Sequence, residues 1–195
     1  GISHDLRTPL TRLKLQLAML KQKDLSQNMS KDIDEMEKML NDYLQYAKTQ
    51  SQENTTNVNL NEMFLEISKS TKPERVKILG HDQIIVNGRS LALKRCFENL
   101  IQNGLTYGNN VNVNFKKGNN RVSISIEDDG PGIPEDQYKS VFKPFYRLDK
   151  SRSLNKSGVG LGLAIVEDII NSHGGNIQLG KSKLNGLLVR ISLPF

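Results

Sequence analysis

A chain of 195 residues, 36% hydrophobic and 25% charged, has room for one large or two small globular domains. No run approaches the roughly 18 to 20 apolar residues that a membrane span needs, and no signal peptide is visible. The net charge of +6 comes from 27 basic and 21 acidic residues that are scattered, with little aromatic interleaving. That pattern argues against nucleic acid and fits either a solvated surface or attraction to anions such as nucleotides.

The chain opens with Gly1-Ile-Ser-His-Asp-Leu-Arg-Thr-Pro-Leu10, inside a motif, as a piece of a longer protein would. His4 and Thr8 are four apart and share a helix face, while Asp5 is turned away by about 100°. An exposed imidazole near its ordinary pKa of about 6.5 is a neutral nucleophile at cellular pH, although a plain surface histidine has the same surroundings. Leu6, Leu10, Leu13, Leu17 and Leu20 recur at alternating intervals of four and three, the seam of a helix packed as in a coiled coil. Pro9 removes one backbone donor and bends the helix just past His4.

Lys21 to Met29 is polar and reads as a loop, and a second seam runs through Ile33, Met36, Leu40, Tyr43 and Ala47. Two such helices form an antiparallel hairpin. One hairpin leaves much of each seam uncovered, so the expectation is a homodimer whose two hairpins build a four-helix bundle. The alternative is a hairpin packed on the chain's own second domain. Thr49 to Asn57 has no apolar residue and reads as linker, giving domains 1–50 and 58–195 with 51–57 between them.

Beyond the linker the periodicity changes. Val58 to Leu60 reads as a short strand, with Asn61 capping a helix to about Ser70. Arg75 to Leu79 and Gln83 to Val86 read as strands. Ser90 to about Tyr107 is an amphipathic helix with Leu91, Leu93, Phe97, Leu100 and Ile101 as core candidates. Cys96, the single cysteine, lies in that apolar pattern and reads as core. Val111 to Lys117 and Arg121 to Glu127 alternate around Lys117-Gly-Asn-Asn120, a hairpin signal. A helix from Leu161 to about Ser172 ends near Gly174-Gly175, and strands at about Asn176 to Leu179 and Leu187 to Leu193 close the chain. The fold class is α+β, with a helical layer on a largely antiparallel sheet in the second domain.

Three separated elements point to one nucleotide site. Asn99 and Asn103 share a helix face, with Tyr107 four residues further on. Carboxamide oxygens there suit a Mg²⁺ ion, and the tyrosine suits a nucleobase or phosphate, although exposed asparagines are usually just solvated. Asp128-Asp-Gly-Pro-Gly-Ile-Pro134 follows a strand directly. Gly130 and Gly132 let backbone approach a ligand, and a carboxylate at the strand end can accept from an exocyclic amine such as that of adenine. The same loop standing alone would read as an ordinary Asp/Gly/Pro turn.

The third element is Gly158-Val-Gly-Leu-Gly-Leu163, where Gly158, Gly160, Leu161 and Gly162 open a helix and offer a phosphate cradle. It matches neither the Walker nor the Rossmann pattern. Phe142-Lys-Pro-Phe-Tyr-Arg147 leads into a polar segment, Asp149 to Ser157, a candidate lid in which Arg147, Lys150, Arg152 and Lys156 could meet phosphates.

In this order the motifs resemble the catalytic core of two-component sensor histidine kinases. Ser3 to Leu10 is similar to the family's phosphoacceptor box, Asn99 to Asn103 to its N box, and Asp128 to Gly132 to its DxGxG loop. Phe142 to Phe145 is similar to its F box and Gly158 to Leu163 to its second glycine box. The resemblance covers essentially the whole chain and implies a dimeric hairpin joined to a Bergerat-type α/β sandwich that binds ATP. It further implies His4 as phosphoacceptor, Asp5 as its acidic neighbour and Thr8 as a residue for dephosphorylating the partner. Asn103 is implied as the principal Mg²⁺ ligand with Asn99 beside it, Asp128 as reader of the adenine amine, and Tyr107 with Lys94 or Arg95 as nucleotide neighbours. The implied partner is a response-regulator receiver domain, and the implied place is the cytoplasmic portion of an inner-membrane sensor.

One departure is Val159, where the family often carries Thr or Ser, so a hydroxyl for a phosphate is lost. Two rival readings remain at this stage. One is an ATP-driven machine of the gyrase, chaperone or mismatch-repair type, which would leave the motif around His4 unexplained. The other is a non-enzymatic nucleotide-binding dimerisation module.

Overall fold

The computed structural model describes residues 10–13, 15–17, 29–30, 33–34, 36–37, 40, 53–80, 83–148 and 160–195. The chain divides into two compact units, Gly1–Gln52 and Glu53–Phe195. His4, Asp5, Thr8, Pro9, Gly158 and Val159 lie outside the described residues, as do the lid cations Lys150, Arg152 and Lys156.

In the first unit every described residue is helical, including Met29 at the end of the expected loop. Leu17 and Ile33 are buried, whereas Leu13 and Met36 of the same seams are exposed to 46% and 55% in the single chain.

The second unit opens with β1 (Thr56–Asn59), which runs straight into α1 (Leu60–Ser70). Two expectations are corrected here. The cap is Asn59 rather than Asn61: its Oδ1 accepts from the N–H groups of Asn61 and Glu62 at 3.1 and 3.4 Å. Leu60, expected at the end of a strand, is the first helical residue and is fully buried. Thr56 and Asn57, expected as linker, belong to β1 because they pair with β3 (Ile85–Gly88) in a two-stranded antiparallel ribbon.

The remaining strands form one five-stranded sheet in the order β2-β4-β5-β7-β6. These are β2 (Val76–Ile78), β4 (Val111–Lys117), β5 (Arg121–Asp128), β6 (Asn176–Lys181) and β7 (Leu187–Pro194). Only the β2–β4 pair is parallel. The expected largely antiparallel sheet is therefore present, with β1 and β3 standing apart from it. Alternation sets its faces: Val111, Val113 and Phe115 of β4 and Val122, Ile124 and Ile126 of β5 are buried.

On that apolar side lie α1, α2 (Ser90–Tyr107) and α3 (Gly162–Ser172). Phe64 of α1 ties the layers together, its ring centroid 4.6 Å from that of Phe97 on α2 and 5.4 Å from that of Phe115 on β4. Leu93, Cys96, Phe97, Leu100 and Ile101 of α2 are buried as expected for the helix core. Leu91 is not. It is 64% exposed, because it shares the polar helix face of Lys94, Arg95 and Glu98 three, four and seven residues on. Among the described residues no helix is long and apolar enough to cross a membrane.

Candidate nucleotide site

The site is built where three chain segments meet beside the end of β5. The first is the C-terminal half of α2. Its 3.6-residue period puts Asn99, Asn103 and Tyr107 on one line, half-buried, half-buried and exposed in turn. Asn99 Nδ2 is buried with no hydrogen-bond partner among the described residues. A buried amide left unsatisfied costs on the order of 1–3 kcal/mol, so a residue kept in that state is a candidate for contact with something bound.

The second segment is the loop after β5. Asp128 Oδ1 accepts from the backbone N–H of Gly130 at 2.9 Å and of Leu187 at 3.1 Å. Its Oδ2 takes no hydrogen bond among the described residues. Burial raises this carboxyl above the ordinary range, the two N–H groups pull it back, and the neighbouring charge of Asp129 adds to the rise. The result is a half-buried carboxylate with one oxygen fixed and the other left for a donor. Gly130 packs against the end of α2: a Cβ there would lie 3.1 Å from the carbonyl oxygen of Tyr107. Gly132 has φ +70°, a conformation that favours glycine.

The third segment enters α3. Gly160 has φ +76°, and its carbonyl accepts from the N–H of Phe145 at 2.9 Å. A Cβ on Gly160 would lie 2.8 Å from the carbonyl oxygen of Tyr146, so the expected F box and second glycine box pack backbone to backbone. Phe145 itself has φ +63° and is 60% exposed. Leu161 occupies the cap position of α3, and no side chain caps that helix. The first-turn N–H groups are therefore free of a side-chain acceptor, as an anion site requires. Gly162 faces α2, with Asn103 Nδ2 3.7 Å from where its Cβ would stand.

The structure thus sets Gly162 against Asn103, and Gly130 against both Asp128 and Tyr107, while α2 carries Asn99, Asn103 and Tyr107 on one line. Gly132 and Gly160 are in left-handed turns flanking them. Lys94 is different. It sits 13 residues before Tyr107, about 20 Å along the helix at 1.5 Å per residue, and its ammonium is paired with Glu66 of α1 at 2.6 Å. Arg95, next to it, is half-buried. Arg147 is half-buried, and the candidate lid at Asp149 to Ser157 lies outside the described residues.

Four residues escaped the sequence reading. Gly186, in the β6–β7 turn, lies directly against Asp128, and the N–H of Leu187 fixes the Asp128 carboxylate. The dipeptide Asn185-Gly186 between two apolar runs was the available signal, since Asn-Gly is a strong hairpin turn. Asp129 accepts from the N–H groups of Asn109 and Asn110 at 2.6 and 2.9 Å, and Arg75 donates to the carbonyl of Gly108 at 2.7 Å. These two pairings join segments distant in sequence and carry no local signal.

Comparison with known proteins agrees with this geometry. Residues 88–195 match the family of histidine kinase-, DNA gyrase B-, and HSP90-like ATPases, and residues 1–52 match the His Kinase A (phospho-acceptor) domain. Sensor histidine kinase GtrS of Pseudomonas aeruginosa is 38% identical over 196 residues, covering 100% of this chain and 41% of that protein. Sensor protein RstB of Escherichia coli is 34% identical, covering 100% of this chain and 47% of that protein. The chain therefore spans less than half the length of these curated relatives. The solved histidine kinase domain of the E. coli osmosensor EnvZ is 36% identical, with a TM-score of 0.56 over 74% of this chain and 91% of that one. A match that joins a phospho-acceptor domain to the ATPase domain is foreign to gyrase-type machines, and the chain belongs to the sensor histidine kinases, whose catalytic core it carries.

Proposed function

We propose that the chain binds Mg·ATP in its second unit, accepts the γ-phosphoryl group on His4 and passes it to an aspartate of a response-regulator receiver domain. The observation that carries the ATP part is the half-committed carboxylate of Asp128. Two backbone N–H groups hold one oxygen, and the other is left to accept from the 6-amino group of a purine. The uncapped start of α3 supplies N–H donors for phosphate oxygens.

The residues fit a Mg²⁺ ion of a particular kind. Among the described residues no cluster of three His, Cys, Asp or Glu side chains exists. The hard oxygens at the site are those of the Asn99 and Asn103 carboxamides, two neutral ligands of the kind that suit a cation which keeps most of its waters. An ion so held would complete its shell with water and phosphate oxygens, as Mg²⁺ commonly does, and would neutralise charge on the transferred group. Asn103 is the principal ligand and Asn99 its neighbour. Tyr107 flanks the base, and Arg95 and Arg147 act on the nucleotide's surroundings, while Lys94 is held by Glu66.

In the transfer, a P–N bond forms to the neutral imidazole of His4 as the bond from the γ-phosphorus to ADP breaks. Asp5 orients the ring. Positioning supplies most of the rate in such reactions, so the segment joining the phosphoacceptor domain at 1–50 to the ATP-binding domain must let the two meet. The half-exposed seam of Leu13 and Met36 supports a homodimer with a four-helix bundle. Thr8, four residues on from His4 in the sequence, positions water for dephosphorylating the regulator. The parent protein is a sensor anchored in the inner membrane, with this core in the cytoplasm.

The test is incubation with γ-labelled ATP and Mg²⁺. The expected product is a phosphoprotein whose label is lost in acid and kept in base, absent from His4→Gln and transferable to a receiver domain. Acid-labile label on His4→Gln overturns the acceptor, and phosphate release with no phosphoprotein overturns the kinase.

A further inference from the structure

The segment Gly108-Asn109-Asn110, between α2 and β4, is bound from two sides. Asp129, one residue beyond the end of β5, accepts from Asn109 and Asn110 N–H through Oδ1 at 2.6 and 2.9 Å. Its Oδ2 accepts from Asn110 Nδ2 at 2.8 Å. From the other side Arg75 donates to the carbonyls of Gly108, at 2.7 Å, and of Asn109. One carboxylate thus takes the free N–H groups of the turn, and one guanidinium takes its free carbonyls.

What the clamp holds is the contact between α2 and the Asp128 loop. A Cβ on Gly108 would lie 2.6 Å from Asp129 Oδ1 and 2.9 Å from the N–H nitrogen of Gly130. That nitrogen is the donor that fixes Asp128 Oδ1. Tyr107 is the last residue of α2, and its carbonyl abuts Gly130 from the same side. Both the base-reading carboxylate and the end of the asparagine-bearing helix are therefore referenced to the Asp129 turn.

We infer that Asp129 is a positioning residue for base recognition, clamping the α2–β4 turn together with Arg75 so that Asp128 is aimed at the purine 6-amino group. This rests on the reading of Asp128 given above. The Asn110 N–H and side-chain amide hold the Asp129 carboxyl below the ordinary carboxylate range, as expected of an acceptor engaged by several donors. Asp129 does not touch the nucleotide; it acts through Gly130 and Asp128.

The test compares, in the full chain, binding of ATP and of purine riboside triphosphate, which lacks the 6-amino group. The parent should prefer ATP by about tenfold or more, the value of one hydrogen bond to a charged group. Asp128→Ala should abolish the preference. Asp129→Ala should reduce it to less than threefold while changing the affinity for purine riboside triphosphate by less than twofold, and Asp129→Asn, which keeps one acceptor oxygen, should restore most of it. If Asp129→Ala does not fold, Asn110→Ala, which trims one side-chain bond, should still halve the preference. Preference surviving in Asp128→Ala overturns the reading of Asp128 and this inference with it. Preference lost in Asp128→Ala but intact in Asp129→Ala or Asn110→Ala, or an equal loss for both nucleotides, overturns the positioning role alone.

Discussion

Gly186 and Asp128 touch so closely that a Cβ on the glycine would lie 2.2 Å from the carboxylate Oδ1 and 2.3 Å from the aspartate's own carbonyl oxygen. Neither neighbour is the free end of a flexible chain, since Oδ1 is held by two backbone N–H groups. Gly186→Ala must therefore push the β6–β7 turn off Asp128 or rotate the carboxylate. The expected outcome is a loss of ATP affinity of about tenfold or more, equivalent to about 1.4 kcal/mol, with the fold retained by circular dichroism. Titration calorimetry with ATP checks it, and unchanged affinity would show that the turn yields without moving the carboxylate.

Asn99 sets stability against function. Its Nδ2 is buried without a partner among the described residues, so removing the carboxamide removes an unsatisfied group. Asn99→Ala should melt no lower than the parent, yet lose most Mg²⁺-dependent labelling from γ-labelled ATP. A variant that labelled normally would dissociate the orphaned amide from the site.

His173 predicts how stability responds to acid. Its Nε2 accepts from the Arg89 N–H at 3.0 Å, and Nδ1 donates to the Ile169 carbonyl at 2.6 Å, an arrangement for the neutral ring. Burial, first, and the Arg89 charge lower its pKa, against the Ile169 carbonyl and Glu53, which raise it. A folded pKa below the unfolded one means the stabilisation is fully present above about pH 6.5 and is lost as pH falls through the folded value. Melting temperatures of the parent should fall between pH 7.5 and 5.5, and His173→Gln should show a shallower dependence. Parallel curves would remove His173 as the source.

Phe64 joins α1, α2 and the sheet through its contacts with Phe97 and Phe115 and is fully buried. Phe64→Ala should cost about 3–5 kcal/mol of unfolding free energy. Chemical denaturation of the second unit measures it directly. A loss below about 1 kcal/mol would mean that the core collapses around the missing ring far more than packed interiors usually do.

Thr8 lies four residues from His4, and its proposed task is separable from phosphorylation. Thr8→Ala should keep autophosphorylation within about twofold and slow dephosphorylation of the regulator by at least tenfold. Equal rates of dephosphorylation in the two proteins would leave Thr8 with no such part.

The elements of the second unit were largely legible because each carries its own period. The 3.6-residue recurrence through Leu93, Phe97, Leu100 and Ile101 fixed α2 from Ser90 to Tyr107, and strict alternation fixed β4 and β5. Errors fell where two local signals competed. Asn59 and Asn61 are both good caps, and the choice went to Asn59 because β1 must pair with β3 up to that residue. Leu91 is apolar but one helical step off the core face, so type suggested burial and geometry refused it.

The site divides along the same line. The sequence alone marked which residues are candidates for a nucleotide, since Asn99, Asn103, Asp128, Gly130 and Gly160 stand in short local motifs that resemble those of a known family. Only the tertiary structure decided what holds them in place. Gly186 reaches Asp128 from 58 residues away, and Arg75 reaches the Gly108 carbonyl from 33 residues away. Lys94, close in sequence to the asparagines, is drawn instead to Glu66. Such pairings depend on which strands neighbour each other in the sheet, and that order is set by burial of the whole apolar face rather than by any residue's own neighbours in the chain.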